Sequence, residues 1–90
     1  MMKHINITIS GIVQGVGFRH AATHQARFLG AKGFVRNLPN GTMYIKAENE
    51  NATLAELVKW CRKGPTFSEE EAVNVEEGEL KGFALFDTRY

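Results

Sequence analysis

Near the start of the chain apolar and polar residues alternate with period two. Ile5, Ile7 and Ile9 fall on one side and His4, Asn6, Thr8 and Ser10 on the other, which predicts a strand over 4–10 with one buried and one wet face. The period then changes. Phe18, Ala22, Gln25 or Ala26, and Leu29 recur at helical spacing, and Gly30 stands where a left-handed C-cap belongs, so a helix is expected over 18–29. Gly33 to Asn37 reads as a short strand carrying Phe34 and Val35. Leu38-Pro39-Asn40-Gly41 is turn chemistry, leading to a second alternating run with Met43, Ile45 and Ala47 opposite Thr42, Tyr44, Lys46 and Glu48. These two strands form a hairpin. Asn51 or Thr53 can cap a second helix, in which Leu54, Leu57, Val58 and Cys61 make one apolar stripe before Gly64-Pro65 stops it. Ser68-Glu69-Glu70-Glu71 reads as a solvated linker or surface turn, Ala72-Val73-Asn74-Val75 alternates again, and Phe83-Ala84-Leu85-Phe86 is expected as a last short strand after the loop containing Gly78 and Gly82.

Strand, helix, strand, strand, helix, strand, with a short terminal strand, is the split βαβ order. It predicts an α+β, ferredoxin-like sandwich (βαββαβ), with two helices on one face of a four- or five-stranded antiparallel sheet. The right-handed crossover through the first helix makes strands one and two parallel, and the hairpin inserts strand three between them. The carboxyl ends of strands one and two therefore share an edge of the sheet, roughly 10 Å apart between backbones. Ninety residues are read as one domain over 1–90, with no internal repeat, low-complexity segment or linker.

At that edge the sequence places Gly11-Ile12-Val13-Gln14-Gly15-Val16-Gly17-Phe18-Arg19, a strand running into a glycine-spaced loop that opens a helix. Glycines let the backbone turn N–H groups toward a ligand, and the helix N-terminus adds partial positive charge. Arg19 adds a full charge and a planar fork of donors, so Gly15, Val16, Gly17, Phe18 and Arg19 read as an anion cradle. Composition makes that reading local. The net charge of +1 gives no general field for nucleic acid or a membrane surface. Cys61 is the single cysteine, so neither a disulfide framework nor a thiolate cluster is expected; it reads as a small buried hydrophobe. With no signal peptide and no apolar run of the ~18 residues a span requires, the expected compartment is the cytoplasm.

The glycine loop through Arg19, then Leu29-Gly30, Gly33-Phe34-Val35-Arg36-Asn37 and Asn40-Gly41, and farther on Trp60 and Gly64-Pro65, resemble the acylphosphatase family over most of the chain. The resemblance implies hydrolysis of the carboxyl-phosphate bond of a small-molecule acyl phosphate, without metal or cofactor. It implies that the loop from Gly15 to Arg19 binds the phosphate through backbone N–H groups and the Arg19 guanidinium, and that Asn37 orients the attacking water. The chain departs from the family pattern at Asn40, where an aspartate is frequent, and over Thr66-Phe67-Ser68-Glu69-Glu70-Glu71, where small and apolar residues are usual.

Acyl phosphate chemistry explains why so few groups suffice. The leaving group is a carboxylate whose conjugate acid has a pKa of about 4, so it departs without a general acid. The phosphoryl transition state is loose, so positioning and electrostatics dominate catalysis. A carboxamide can hold the water without repelling the phosphate, and a phosphoryl oxygen can take the water's proton. His20 and His24, at i and i+4, lack a completing carboxylate and read as surface histidines; Trp60 reads as a core or rim packing residue. Two other classes compete. Lys32-Gly33-Phe34-Val35 superficially resembles the aromatic motif of RNA-recognition domains but falls on the wrong strand. A catalytically idle anion-binding domain would share the cradle, but the presence of both Arg19 and Asn37 argues for an enzyme. A monomer is expected.

Overall fold

A computed structural model of the protein describes residues 1–15, 17–64 and 69–89. Its elements are β1 (Met2–Ile12), α1 (Phe18–Leu29), β2 (Lys32–Asn37), β3 (Met43–Glu50), α2 (Asn51–Lys63), β4 (Glu69–Gly78) and β5 (Phe86–Arg89). The five strands form one sheet in the order β4-β1-β3-β2-β5. The expected insertion of β3 between β1 and β2 is seen, with Ile9 opposite Met43 and Met43 opposite Asn37.

The alternation in β1 and β3 directs Ile5, Ile7, Ile9, Met43, Ile45 and Ala47 onto one face of the sheet. There they meet Phe18, Ala22 and Ala26 of α1 and Leu54, Leu57 and Cys61 of α2, all buried. Each fully buried aliphatic side chain contributes about 1.5–3 kcal/mol, so this single layer is the main source of stability. Gly30 ends α1 in the left-handed conformation expected of it, its N–H donating to the Ala26 and Arg27 carbonyls. Among the described residues no helix is long and apolar enough to cross a membrane.

Four expectations are corrected. The sheet is mixed: β5 pairs with β2 in parallel, Gly33 opposite Phe86 and Val35 opposite Thr88. The cause is the direction of β4, which runs antiparallel to β1 and finishes with Gly78 opposite His4, at the end of the sheet away from the glycine loop. The chain then crosses to the far edge, and β5 has to start where β2 starts. Second, the last strand begins at Phe86, not Phe83. Third, Glu69, Glu70 and Glu71 belong to β4 and not to a linker; Ser68 lies outside the described residues. Glu69 and Glu70 pair with Ile12 and Gly11, and the register shifts between Ser10 and Gly11, so the β1 ladder sets the backbone of this acidic run. Fourth, neither Asn51 nor Thr53 caps α2. Glu50 is its N-cap, without a side-chain cap bond.

The second sheet face is only partly wet. His4 and Glu48, expected among solvated positions, are each 2% exposed. His4 Nδ1 lies 2.7 Å from Glu48 Oε2, and the N–H groups of Lys81, Gly82 and Phe83 donate to the same carboxylate at 2.6, 3.0 and 3.2 Å. Phe83 also covers the face, stacked near His4 and edge-on to Phe34. A carboxylate thus takes up the N–H of Phe83 where a ladder was expected, and a bond to the backbone of β2 comes only at Leu85, whose carbonyl accepts from Gly33 N–H at 2.9 Å.

Burial acts to raise the Glu48 pKa, but the bonds from Lys81, His4, Phe83 and Gly82 together hold it below its ordinary value. A lowered carboxyl pKa contributes stability above the unfolded-state value, about 4.3, and that contribution disappears as pH falls through the lower folded value. Glu48→Gln is therefore expected to cost about 2–4 kcal/mol at neutral pH, because buried donors lose a charged acceptor. Urea unfolding of both proteins should show the difference shrinking below about pH 4; an equal difference at pH 7 and pH 3 would contradict this.

Candidate functional site

The site lies at the end of the sheet opposite the Glu48 cluster. β1 ends at Ile12, and the chain continues through the buried Val13 and Gln14 into the glycine loop. Gly15 and Gly17 have φ of 77° and 79°. A Cβ at either would meet nothing within 4 Å, so left-handed backbone and not lack of room calls for glycine. Val16, also expected in the cradle from sequence, lies outside the described residues.

Gly17 is the N-cap of α1, with no side-chain cap and no acidic residue in the first turn. The first backbone bond of the helix is from Ala21 N–H to Gly17 O, at 2.9 Å. The N–H groups of Phe18, Arg19 and His20 precede it and sit at the positive end of the helix. Phe18 is fully buried and meets Trp60 edge-on, with centroids 5.5 Å apart and planes at 78°, which fixes the start of the helix against α2. Trp60 is thus the packing residue expected of it. One position on, Arg19 is half-buried and lines the cleft. Its carbonyl accepts from the hydroxyl of Thr23 at 2.9 Å, and Thr23 also hydrogen-bonds Thr88 of β5.

Asn37 comes from the last position of β2, two strands from β1. A cleft of about 310 Å³ brings Gly15, Gly17, Phe18, Arg19 and Asn37 together. Val13, Met43, Thr88 and the exposed His20 line it too, and none of the described lining residues is acidic. One buried polar atom stands out: Asn37 Oδ1 makes no hydrogen bond among the described residues. Buried acceptors are nearly always paired, so an unpaired one on a residue that lines a cation-bearing cleft points to a donor from a ligand or water. The arrangement offers a grip for an anion on one wall and an acceptor on the other.

Three participants escaped the sequence reading. Gln14 reads in the sequence only as part of a glycine motif, yet its side-chain amide donates to the carbonyls of Leu38 and Thr42 in the turn after Asn37. Thr88 comes in only through the parallel placement of β5, for which the sequence held no signal. His20 was expected on the surface; it is exposed, but on the cleft rim, whereas His24 is exposed elsewhere on α1.

Comparison with known proteins identifies the family. Residues 5–88 match the family described as Acylphosphatase. An acylphosphatase of Archaeoglobus fulgidus is 40% identical over 89 residues, covering 99% of this chain and 100% of that protein. One from Anaeromyxobacter dehalogenans is 43% identical over 83 residues, covering 88% and 89%. The crystal structure of acylphosphatase from Bacillus subtilis superposes with a TM-score of 0.95 at 32% identity, with 100% of both chains covered. With the family matched from Ile5 to Thr88 and the fold shared with a solved member, this chain belongs to the acylphosphatase family.

Proposed function

We propose that the chain hydrolyses the carboxyl-phosphate bond of acyl phosphates, with the phosphoryl group held by the Arg19 guanidinium and the N–H groups of Gly15, Gly17, Phe18 and Arg19, and the attacking water oriented by Asn37. The observation that carries the assignment is the unpaired, buried Asn37 Oδ1 in the same cleft as Arg19. A water donating one proton to that oxygen keeps its lone pair for phosphorus. As the water oxygen bonds to phosphorus, the bond from phosphorus to the carboxyl oxygen breaks and the electron pair leaves with the carboxylate. A phosphoryl oxygen takes the water's second proton, so the products are a carboxylate and inorganic phosphate. One chain supplies both walls of the cleft, so a monomer suffices for activity.

The test is a panel of substrates. Benzoyl phosphate and acetyl phosphate should turn over at least about 10³-fold faster than p-nitrophenyl phosphate and simple alkyl phosphates, because this site stabilises the phosphoryl group but offers no acid to a poor leaving group. The rate should also lack a required titration near pH 6–7. Equal rates on acyl phosphates and esters, or a bell governed by His20, would contradict the mechanism; phosphate binding without turnover would favour an idle anion-binding domain.

A further inference from the structure

Gln14 Nε2 donates to Leu38 O and to Thr42 O, each at 2.9 Å. These are the two carbonyls that close the hairpin turn, since Leu38 N–H donates to Thr42 O at 2.9 Å and Gly41 N–H to Leu38 O at 3.1 Å. One nitrogen on the cradle side thus grips both ends of the turn that starts directly after Asn37. Few side chains can do this. A carboxamide carries two protons on one neutral nitrogen, and glutamine has one methylene more of reach than asparagine.

We infer that Gln14 is a positioning residue, setting the distance between the phosphoryl cradle and Asn37 and so aligning the attacking water with the bond that breaks. The inference rests on the water-orienting reading of Asn37. From Gln14 the sequence runs into the loop ending at Arg19, and from Leu38 it is one peptide to Asn37, so this amide links the two walls by a short path. The backbone ladder fixes Asn37 opposite Met43, but the turn between them lies before the start of β3 and is bonded by this amide. In-line attack requires reacting atoms about 3–3.5 Å apart, and a misplacement of about 1 Å costs about 100-fold. Holding the phosphoryl group requires only the loop and Arg19. Loss of the Gln14 bonds should therefore reach kcat while leaving phosphate affinity in place.

Gln14→Leu and Gln14→Glu test this, with benzoyl phosphate as substrate and inorganic phosphate as inhibitor. Gln14→Leu is expected to lower kcat about 10- to 100-fold, with KM and the phosphate inhibition constant within about threefold of wild type, and to shift the Asn37 side-chain amide resonance in an ¹⁵N-labelled sample. Gln14→Glu is isosteric but faces two carbonyls with no proton to give at neutral pH. Its protonated carboxyl has one, so kcat should rise between pH 7 and pH 5 while wild type varies within about twofold. A residue needed only for folding would lose kcat and phosphate binding together and gain nothing from acid. A Gln14→Leu kcat within about threefold of wild type would overturn the inference, as would phosphate binding lost in proportion to kcat or a Gln14→Glu pH profile like that of wild type. Failure of the underlying reading shows elsewhere: wild type would not hydrolyse acyl phosphates, or Asn37→Ala would keep its turnover. The Asn37 resonance is read without any turnover.

Discussion

Arg19→Ala is expected to abolish acyl phosphate hydrolysis, lowering kcat/KM by about 10³- to 10⁵-fold, and to weaken inhibition by inorganic phosphate at least about tenfold. The described residues lining the cleft contribute no other arginine or lysine. The net charge of +1 offers no background field to compensate. Backbone N–H groups supply partial charges, whereas the guanidinium supplies a full charge in a planar fork that spans two phosphoryl oxygens. That charge must meet oxygens that gain negative character as the carboxylate departs, so its loss falls more heavily on the transition state than on bound phosphate. A factor of 10³ is about 4 kcal/mol of transition-state stabilisation, a reasonable share for one charged donor in a partly buried cleft. Arg19→Lys separates charge from geometry: it should recover part of the phosphate affinity but less of the rate, because an ammonium is a point charge without the fork. Steady-state kinetics with phosphate inhibition decides the matter. A kcat/KM for Arg19→Ala within about tenfold of wild type would place the phosphoryl grip in the loop backbone alone.

The wall that carries Arg19 was the more legible part of the chain. Its glycines are demanded by left-handed backbone and its helix start by a change of hydrophobic period, and both signals are local. The edge shared by β1 and β2 was legible too, because the handedness of a crossover and the tightness of a hairpin leave little topological choice. What escaped depends on partners distant in sequence. Glu48 sits in an alternating strand at a position that reads as solvated, and only the backbone of residues 81–83, arriving from the other edge of the sheet, buries it. The same crossing turns β5 parallel and brings Thr88 to the cleft, although nothing near Phe83 or Phe86 announces it. Glu69–Glu71 misled for a related reason. Charge density there reads as a linker, whereas the deciding term was the backbone ladder offered by β1. Gln14 is the intermediate case. It lies inside the recognisable loop, but the two carbonyls that explain a glutamine there belong to a turn 24 and 28 residues away.

Asn37→Ala should separate catalysis from both binding and folding. Turnover is expected to fall about 10²- to 10³-fold, the effect of losing a group that both places and orients the nucleophile, while inorganic phosphate still binds within about threefold of its wild-type affinity. Stability supplies an independent sign. Asn37 Oδ1 is buried and has no hydrogen-bond partner among the described residues, so removing the side chain leaves no protein donor that was bonded to this oxygen unpaired. With no protein hydrogen bond to this oxygen lost, Asn37→Ala should change the unfolding free energy by less than about 1 kcal/mol. A purely structural asparagine would do the reverse: its loss would destabilise the fold and take phosphate binding with it. Asn37→Asp then tests the chemistry of the amide. It keeps size and acceptor but adds a negative charge facing the phosphoryl group, so phosphate binding should weaken and turnover stay low. An Asn37→Asp enzyme as active as wild type would mean that the position works as a general base, and an Asn37→Ala enzyme with near-normal turnover would mean that the water is held elsewhere. An Asn37→Ala protein that turns over poorly, binds phosphate and keeps near-wild-type stability is the combination expected if this oxygen serves the attacking water and not the fold.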